Sequence, residues 1–115
     1  MILEIAMLPV RPDQSAAFEA AFAEASAIIA SMPGYLGHSL QRCMEVPGRY
    51  ALLVRWQTLE RHTVGFRGSS EYQRWRALLH HFYDPFPVVE HFMSVPLAAA
   101  TPLFDHEPHA SESKP

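Results

Sequence analysis

Seven histidines, His38, His62, His80, His81, His91, His106 and His109, sit in a chain that has one lysine and no asparagine. Imidazole is the side chain best matched to proton transfer near neutral pH. The single lysine, Lys114, lies next to the last residue, which argues against a buried Schiff-base lysine. Chemistry that depends on an asparagine carboxamide has no residue to use. His80 and His81 are neighbours, about 100° apart around a helix, so one ion cannot readily take both. No HxxxH-type spacing adds His91 or Glu90 to them, and no metal is expected. Cys43 has no histidine evidently paired with it and reads as a buried structural thiol. The glycines and serines between Gly65 and Ser70 form neither a nucleophile elbow nor a phosphate loop.

The chain that must position these groups has 115 residues, room for one domain. It is 49% apolar and 18% charged, enough to bury a real core. A net charge of −3 argues against nucleic acid, whose partners carry basic stripes. Arg61, Arg67, Arg74 and Arg76 do cluster, but a solvated helix face accounts for them and no aromatic interleaving makes a stacking platform. One cysteine excludes an internal disulfide framework. Met1 to Val10 lacks the basic flank of a signal peptide, and no run reaches the ~18 apolar residues of a membrane span. A cytoplasmic protein is expected.

Hydrophobic periodicity assigns the elements. Ile2 to Leu8, an apolar run broken by Glu4, is a strand. From Asp13, Phe18, Phe22, Ala25 and Ile29 recur at helical spacing until Met32-Pro33-Gly34 stops them. Tyr35 to Glu45 and Arg49 to Gln57 are strands joined at Pro47-Gly48. Along the second of these, Tyr50, Leu52, Val54 and Trp56 share one face. Thr58 caps a short helix that Gly65 ends, and Ser70 with Gln73 forms a capping box for a second long helix. That helix carries the stripe Tyr72, Trp75, Leu79 and Phe82, and Pro87 to Val95 is the last strand. Residues 1–96 form the domain. Residues 97–115, rich in Pro, Ala and acidic side chains, read as a tail, with Leu103-Phe104 able to dock on a partner.

This βαββαβ order is the ferredoxin-like α+β arrangement, a four-stranded antiparallel sheet with both helices on one face. Strand residues are apolar on the other face too, so two sheets are expected to pack together in a homodimer.

Three segments carry a resemblance. Pro33-Gly34-Tyr35-Leu36-Gly37, the run from Arg49 to Trp56, and His62-Thr63-Val64-Gly65-Phe66-Arg67 with Ser69-Ser70 closely resemble the antibiotic biosynthesis monooxygenase domain. The resemblance spans about residues 1–95 and implies a dimeric α+β barrel with a cavity between helices and sheet in each subunit. One branch of that family oxidises polycyclic aromatic compounds without a cofactor, and a second degrades haem. Trp56 matches the tryptophan ending the third strand in the cofactor-free branch, His62 stands where that branch can place a tyrosine, and Arg76 stands where it places an arginine. Leu52 stands where both active branches place an asparagine. Arg76 and Phe66 stand where the haem branch has its axial histidine and a tryptophan.

The resemblance implies a cofactor-independent monooxygenase for a small aromatic or quinol-like compound. Such an enzyme makes an electron-rich substrate anion and lets it reduce O₂, which takes a base, a cation and a dry aromatic cavity. His62, Arg76 and Trp56 are the candidate catalytic residues. Phe22, Tyr50, Leu52, Val54, Phe66, Tyr72 and Trp75 are candidates for the substrate pocket, and no cofactor is expected. Each has a plainer explanation: Trp56 and Trp75 sit on core stripes, and His62 can be structural. A non-catalytic binding protein with the same cavity is the alternative, and a haem-degrading enzyme the third possibility.

Overall fold

The computed structural model describes residues 1–99 and Leu103. The elements follow the expected order: β1 (Ile2–Pro9), α1 (Ser15–Ala30), β2 (Tyr35–Arg42), β3 (Arg49–Trp56), α2 (Ser70–Leu79) and β4 (Val88–Phe92). The strands form one sheet in the order β2-β3-β1-β4, and each neighbouring pair is antiparallel. This is the ferredoxin-like α+β fold.

Strand alternation decides what faces the helices. On β1 the buried residues are Glu4, Ala6 and Leu8; on β3 they include Tyr50, Leu52, Val54 and Trp56. Helix α1 buries Phe18, Phe22, Ala25, Ile28 and Ile29 against that face. Helix α2 adds Trp75 and Leu79, and a 3₁₀ turn, His80–Phe82, continues the same stripe so that Phe82 is also buried. The opposite face is largely apolar and uncovered in one chain: Met7, Val88 and Phe92 are exposed, with Leu3, Ile5 and Leu53 half-buried beside them, and Arg55 and Glu90 are the charges among them.

Several element ends differ from the periodicity. Ser69, not Ser70, caps α2: its backbone is still extended, and its Oγ accepts the Tyr72 N–H at 3.1 Å. That puts Tyr72 rather than Gln73 at the third helical position, so no reciprocal box forms. The short helix does not stop at Gly65. Thr58 Oγ1 does accept the Arg61 N–H at 3.2 Å, but the chain then widens into a π-helical turn, Arg61–Phe66. Its mark is the Arg67 N–H bonded to the His62 carbonyl five residues back, at 3.1 Å. Cys43 follows the end of β2 and is only half-buried. Of the expected tail, 97–99 and Leu103 are described; docking by Phe104 concerns a residue outside the described ones.

The β2–β3 connection depends on Gly48, which has φ of +84°. A Cβ there would strike the Val10 carbonyl oxygen, and the Gly48 carbonyl accepts the Val10 N–H at 2.8 Å. The left-handed conformation alone costs a side chain about 1–2 kcal/mol. Gly48→Ala is therefore expected to lower the melting temperature by at least ~5 °C, since 1 kcal/mol shifts a domain of this size by ~4–8 °C. Gly65→Ala, with only the Glu60 carbonyl at an ordinary 3.7 Å, should leave it nearly unchanged in the same thermal melts.

Candidate active site

Between the inner sheet face and α2 lies a cavity of about 350 Å³. Its floor is the sheet, with Glu4 and Ala6 of β1, Leu52 of β3 and Val89 of β4. Phe66, Tyr72 and Trp75 make an aromatic wall, with Phe66 edge-on to both of the others. His62 and Arg67 enter from the two ends of the π-helical turn, while His80, Tyr83 and Phe86 stand on the side that leads into β4.

Strand register builds the polar end of this cavity. Glu4 is directly opposite His91 on β4, and opposite Val54 on β3, two residues inside the Ile2–Trp56 pair. Trp56 is thus the diagonal neighbour of Glu4 on the same face, and its indole N–H donates to Glu4 Oε1 at 2.9 Å. The π-helical turn lowers His62 over this group. Its ring stacks on Trp56, with centroids 5.4 Å apart and planes 17° apart. Its Nε2 faces Glu4 Oε1 at 3.4 Å, and its Nδ1 is hydrogen-bonded to His91 Nε2 at 2.7 Å. One proton is shared on that last contact, so the two rings take complementary tautomers.

Burial governs the charges. Desolvation, then the Arg67 guanidinium and His91, push His62 from 6.5 down to about 3, so the ring is neutral at pH 7. His91 is lowered by burial and then by Arg67, and His80 by burial and then by Arg76. Glu4 is raised by burial, against the opposing pull of the Trp56 N–H and of Arg67. Among the described residues, no group of three or more His, Cys, Asp or Glu is placed to hold a metal ion.

The structure brings together Leu52, His62, Phe66, Tyr72 and Trp75 from the residues expected at the site. Trp56 is fully buried behind His62, and Val54 is core. Phe22 and Tyr50 border a different cleft with Glu19 and Arg42, where the Tyr50 hydroxyl donates to Glu19 Oε2 at 2.5 Å. Arg76 is exposed, because Trp75 takes the inward position and the next residue is rotated about 100° away. The guanidinium in the cavity wall is Arg67's instead. Glu4, Arg67 and His91 had not been expected. Glu4 carried a readable signal as the one charge in the Ile2–Leu8 run, on the face of Ala6 and Leu8. His91 alternates with Val89, a weaker one.

The family profile of the antibiotic biosynthesis monooxygenases matches residues 1–78. The chain belongs to that family. An uncharacterized protein of Bacillus subtilis, YczJ, is 58% identical over 95 residues, which are 83% of this chain and all of that protein. A crystal structure from Bordetella bronchiseptica bearing the same family name is 39% identical, covers 83% of this chain and 97% of its own, and superposes with a TM-score of 0.79. SnoaB of Streptomyces nogalater, described as a cofactor-independent oxygenase, shares the fold at 19% identity and a TM-score of 0.65, over 86% of this chain and 97% of its own. Among the described residues no helix is long and apolar enough to cross a membrane.

The buried imidazole of this family member makes stability depend on pH. With His62 at about 3 when folded and near 6.5 when unfolded, the unfolded chain takes up the proton first as pH falls. Stability should hold above pH ~6.5 and fall towards pH ~3, by up to ~1.4 kcal/mol per pH unit. His91, His80 and His38 act in the same direction. Glu4 acts oppositely: with its folded value raised, it favours the fold at low pH and loses that contribution as pH rises through that value. Urea unfolding between pH 4 and 8 should show a shallower acid limb in His62→Gln.

Proposed function

We propose that the protein is a cofactor-independent monooxygenase that oxidises a small anthrone- or quinol-like aromatic compound with O₂. The observation that carries this is the single cavity joining an aromatic wall, a cation and a buried proton acceptor. A fused aromatic ring system fits about 350 Å³ and stacks against Phe66, Tyr72 and Trp75. The Arg67 guanidinium neutralises the substrate's phenolate or enolate oxygen, the part assigned from the sequence to Arg76. The Glu4–His62–His91 group stands at the other end of the charge balance. Since His62 is neutral down to about pH 3, its deprotonation gives no rate step near pH 6.5.

Oxygen uptake with an anthrone or a naphthohydroquinone tests this. One O₂ should be consumed per substrate. Arg67→Ala should lose about 10²–10³ in kcat/KM, with part retained in Arg67→Lys, which keeps charge without the planar fork. Arg76→Ala, outside the cavity, should have much the smaller effect. Binding without oxygen uptake would favour the second reading, a non-catalytic binding protein. What supports that reading is Leu52, an apolar side chain in the cavity floor where the active branches of the family place an asparagine.

The proposal includes a homodimer formed through the outer sheet face, acting in the cytoplasm. Leu3, Ile5, Met7, Leu53, Val88 and Phe92 make that face too apolar to leave in water. A standard interface buries ~800 Å² per partner. Sedimentation at micromolar concentration should give the dimer mass, and Ile5→Arg should abolish it. A wild-type monomer would remove the dimer from the proposal.

A further inference from the structure

We propose that Glu4 is the catalytic base: its Oε2 takes the proton that converts the bound aromatic compound into its oxygen-reactive anion, while the Trp56 N–H holds Oε1. This rests on the monooxygenase reading above and names the acceptor within it. His62 is poorly placed for the part. Its Nδ1 is bonded to His91 at 2.7 Å, its Nε2 faces Glu4 at 3.4 Å, and one ring face lies on Trp56. Glu4 lines the cavity, is 6% exposed, and directs only Oε1 at Trp56 and His62. Among the described residues, the polar contacts of the Glu4 carboxyl fall on Oε1 and none on Oε2.

A structural role does not explain this carboxylate. Burying one in an apolar sheet face costs several kcal/mol, and a neutral glutamine would accept the Trp56 N–H as well. Burial is also what makes a carboxylate a stronger base. Burial raises Glu4, and the Trp56 N–H on β3 and the Arg67 guanidinium after the π-helical turn pull it back down; His91 stands opposite it on β4, and His62, Tyr72, His80 and Tyr83 line the same cavity.

The steps balance for a substrate methylene, R₂CH₂. Its C–H proton moves to Glu4, leaving the carbanion. The carbanion passes one electron to O₂, and the resulting radical and superoxide combine as R₂CH–OO⁻. That anion recovers the proton from Glu4 to give the hydroperoxide. Removal of the second C–H proton by Glu4 then breaks the O–O bond, giving R₂C=O and hydroxide, which takes the proton as water. O₂ is the oxidant, and Glu4 ends as it began.

Anaerobic deuterium exchange tests the base apart from the oxidation. In D₂O without O₂, the wild type should exchange the methylene of an anthrone. Glu4→Gln, which can still accept the Trp56 N–H and so keep the fold, should bind the anthrone but lose ~10²–10⁴ of the exchange rate. Glu4→Asp should retain part. Trp56→Phe removes a donor that holds Glu4 down, so it should move the acid limb of the exchange profile to higher pH with little change in binding. Glu4→Gln exchanging within threefold of wild type would overturn the assignment, as would a wild type that binds the anthrone and exchanges nothing. Exchange lost in Glu4→Gln, but no oxygen uptake by the wild type, would support Glu4 and reject the monooxygenase.

Discussion

One carboxylate sets the terms for the rest of the cavity. Glu4 lies on the inner face of the central strand, in a row otherwise made of Ala6 and Leu8, with water all but excluded. An ionised group there is tolerable only where hydrogen bonds and charge replace its hydration. The antiparallel register supplies this. Pairing Ile2 with Trp56 puts the indole N–H diagonally across from Glu4, and pairing Glu4 with His91 puts an imidazole beside it. A one-residue slip in either pair would send the partner to the outer face and leave the buried carboxyl without it.

The π-helical turn is the second element of that solution. A regular helix beginning at Thr58 would carry its residues round at 100° each. The widened turn instead presents both His62 and Phe66 to the interior, one above Trp56 and the other against Trp75. The same turn leaves Arg67 at the cavity margin, close enough to lower His62, His91 and Glu4 together. Packing and electrostatics are therefore not separable here: in the stacked Trp56–His62 pair, Trp56 belongs to the core and His62 to the wall of the cavity.

The family gives a scaffold and a chemical class, and the cavity of this member has its own composition. Its floor is apolar at Leu52, its cation comes from the turn before α2, and its buried carboxyl comes from the β1–β4 pairing. A proton acceptor in such a place acts in a medium of low dielectric, where a single fixed cation such as Arg67 weighs more than it would in water. The exposed apolar outer face belongs to the same economy of a small sheet, which has helices for only one of its sides.

Periodicity alone was enough for the element order, the antiparallel sheet, the core stripe of α1 and the aromatic run Tyr72, Trp75, Leu79 and Phe82, because burial writes a period of 3.6 or 2 into the chain. The three resembling segments gave the family. Five of the ten residues named for the site do line the cavity, since inward-facing aromatic positions can be read locally. The choice of Arg67 over Arg76 could not be read, because it turns on one widened helical turn and a 100° step along α2. Nor could the Glu4–His62–His91 group, whose members are separated by 58 and 29 positions (62 − 4 and 91 − 62) in the chain. The sequence determined what each element buries; only the strand register and the turn that crosses it decided which polar residues meet.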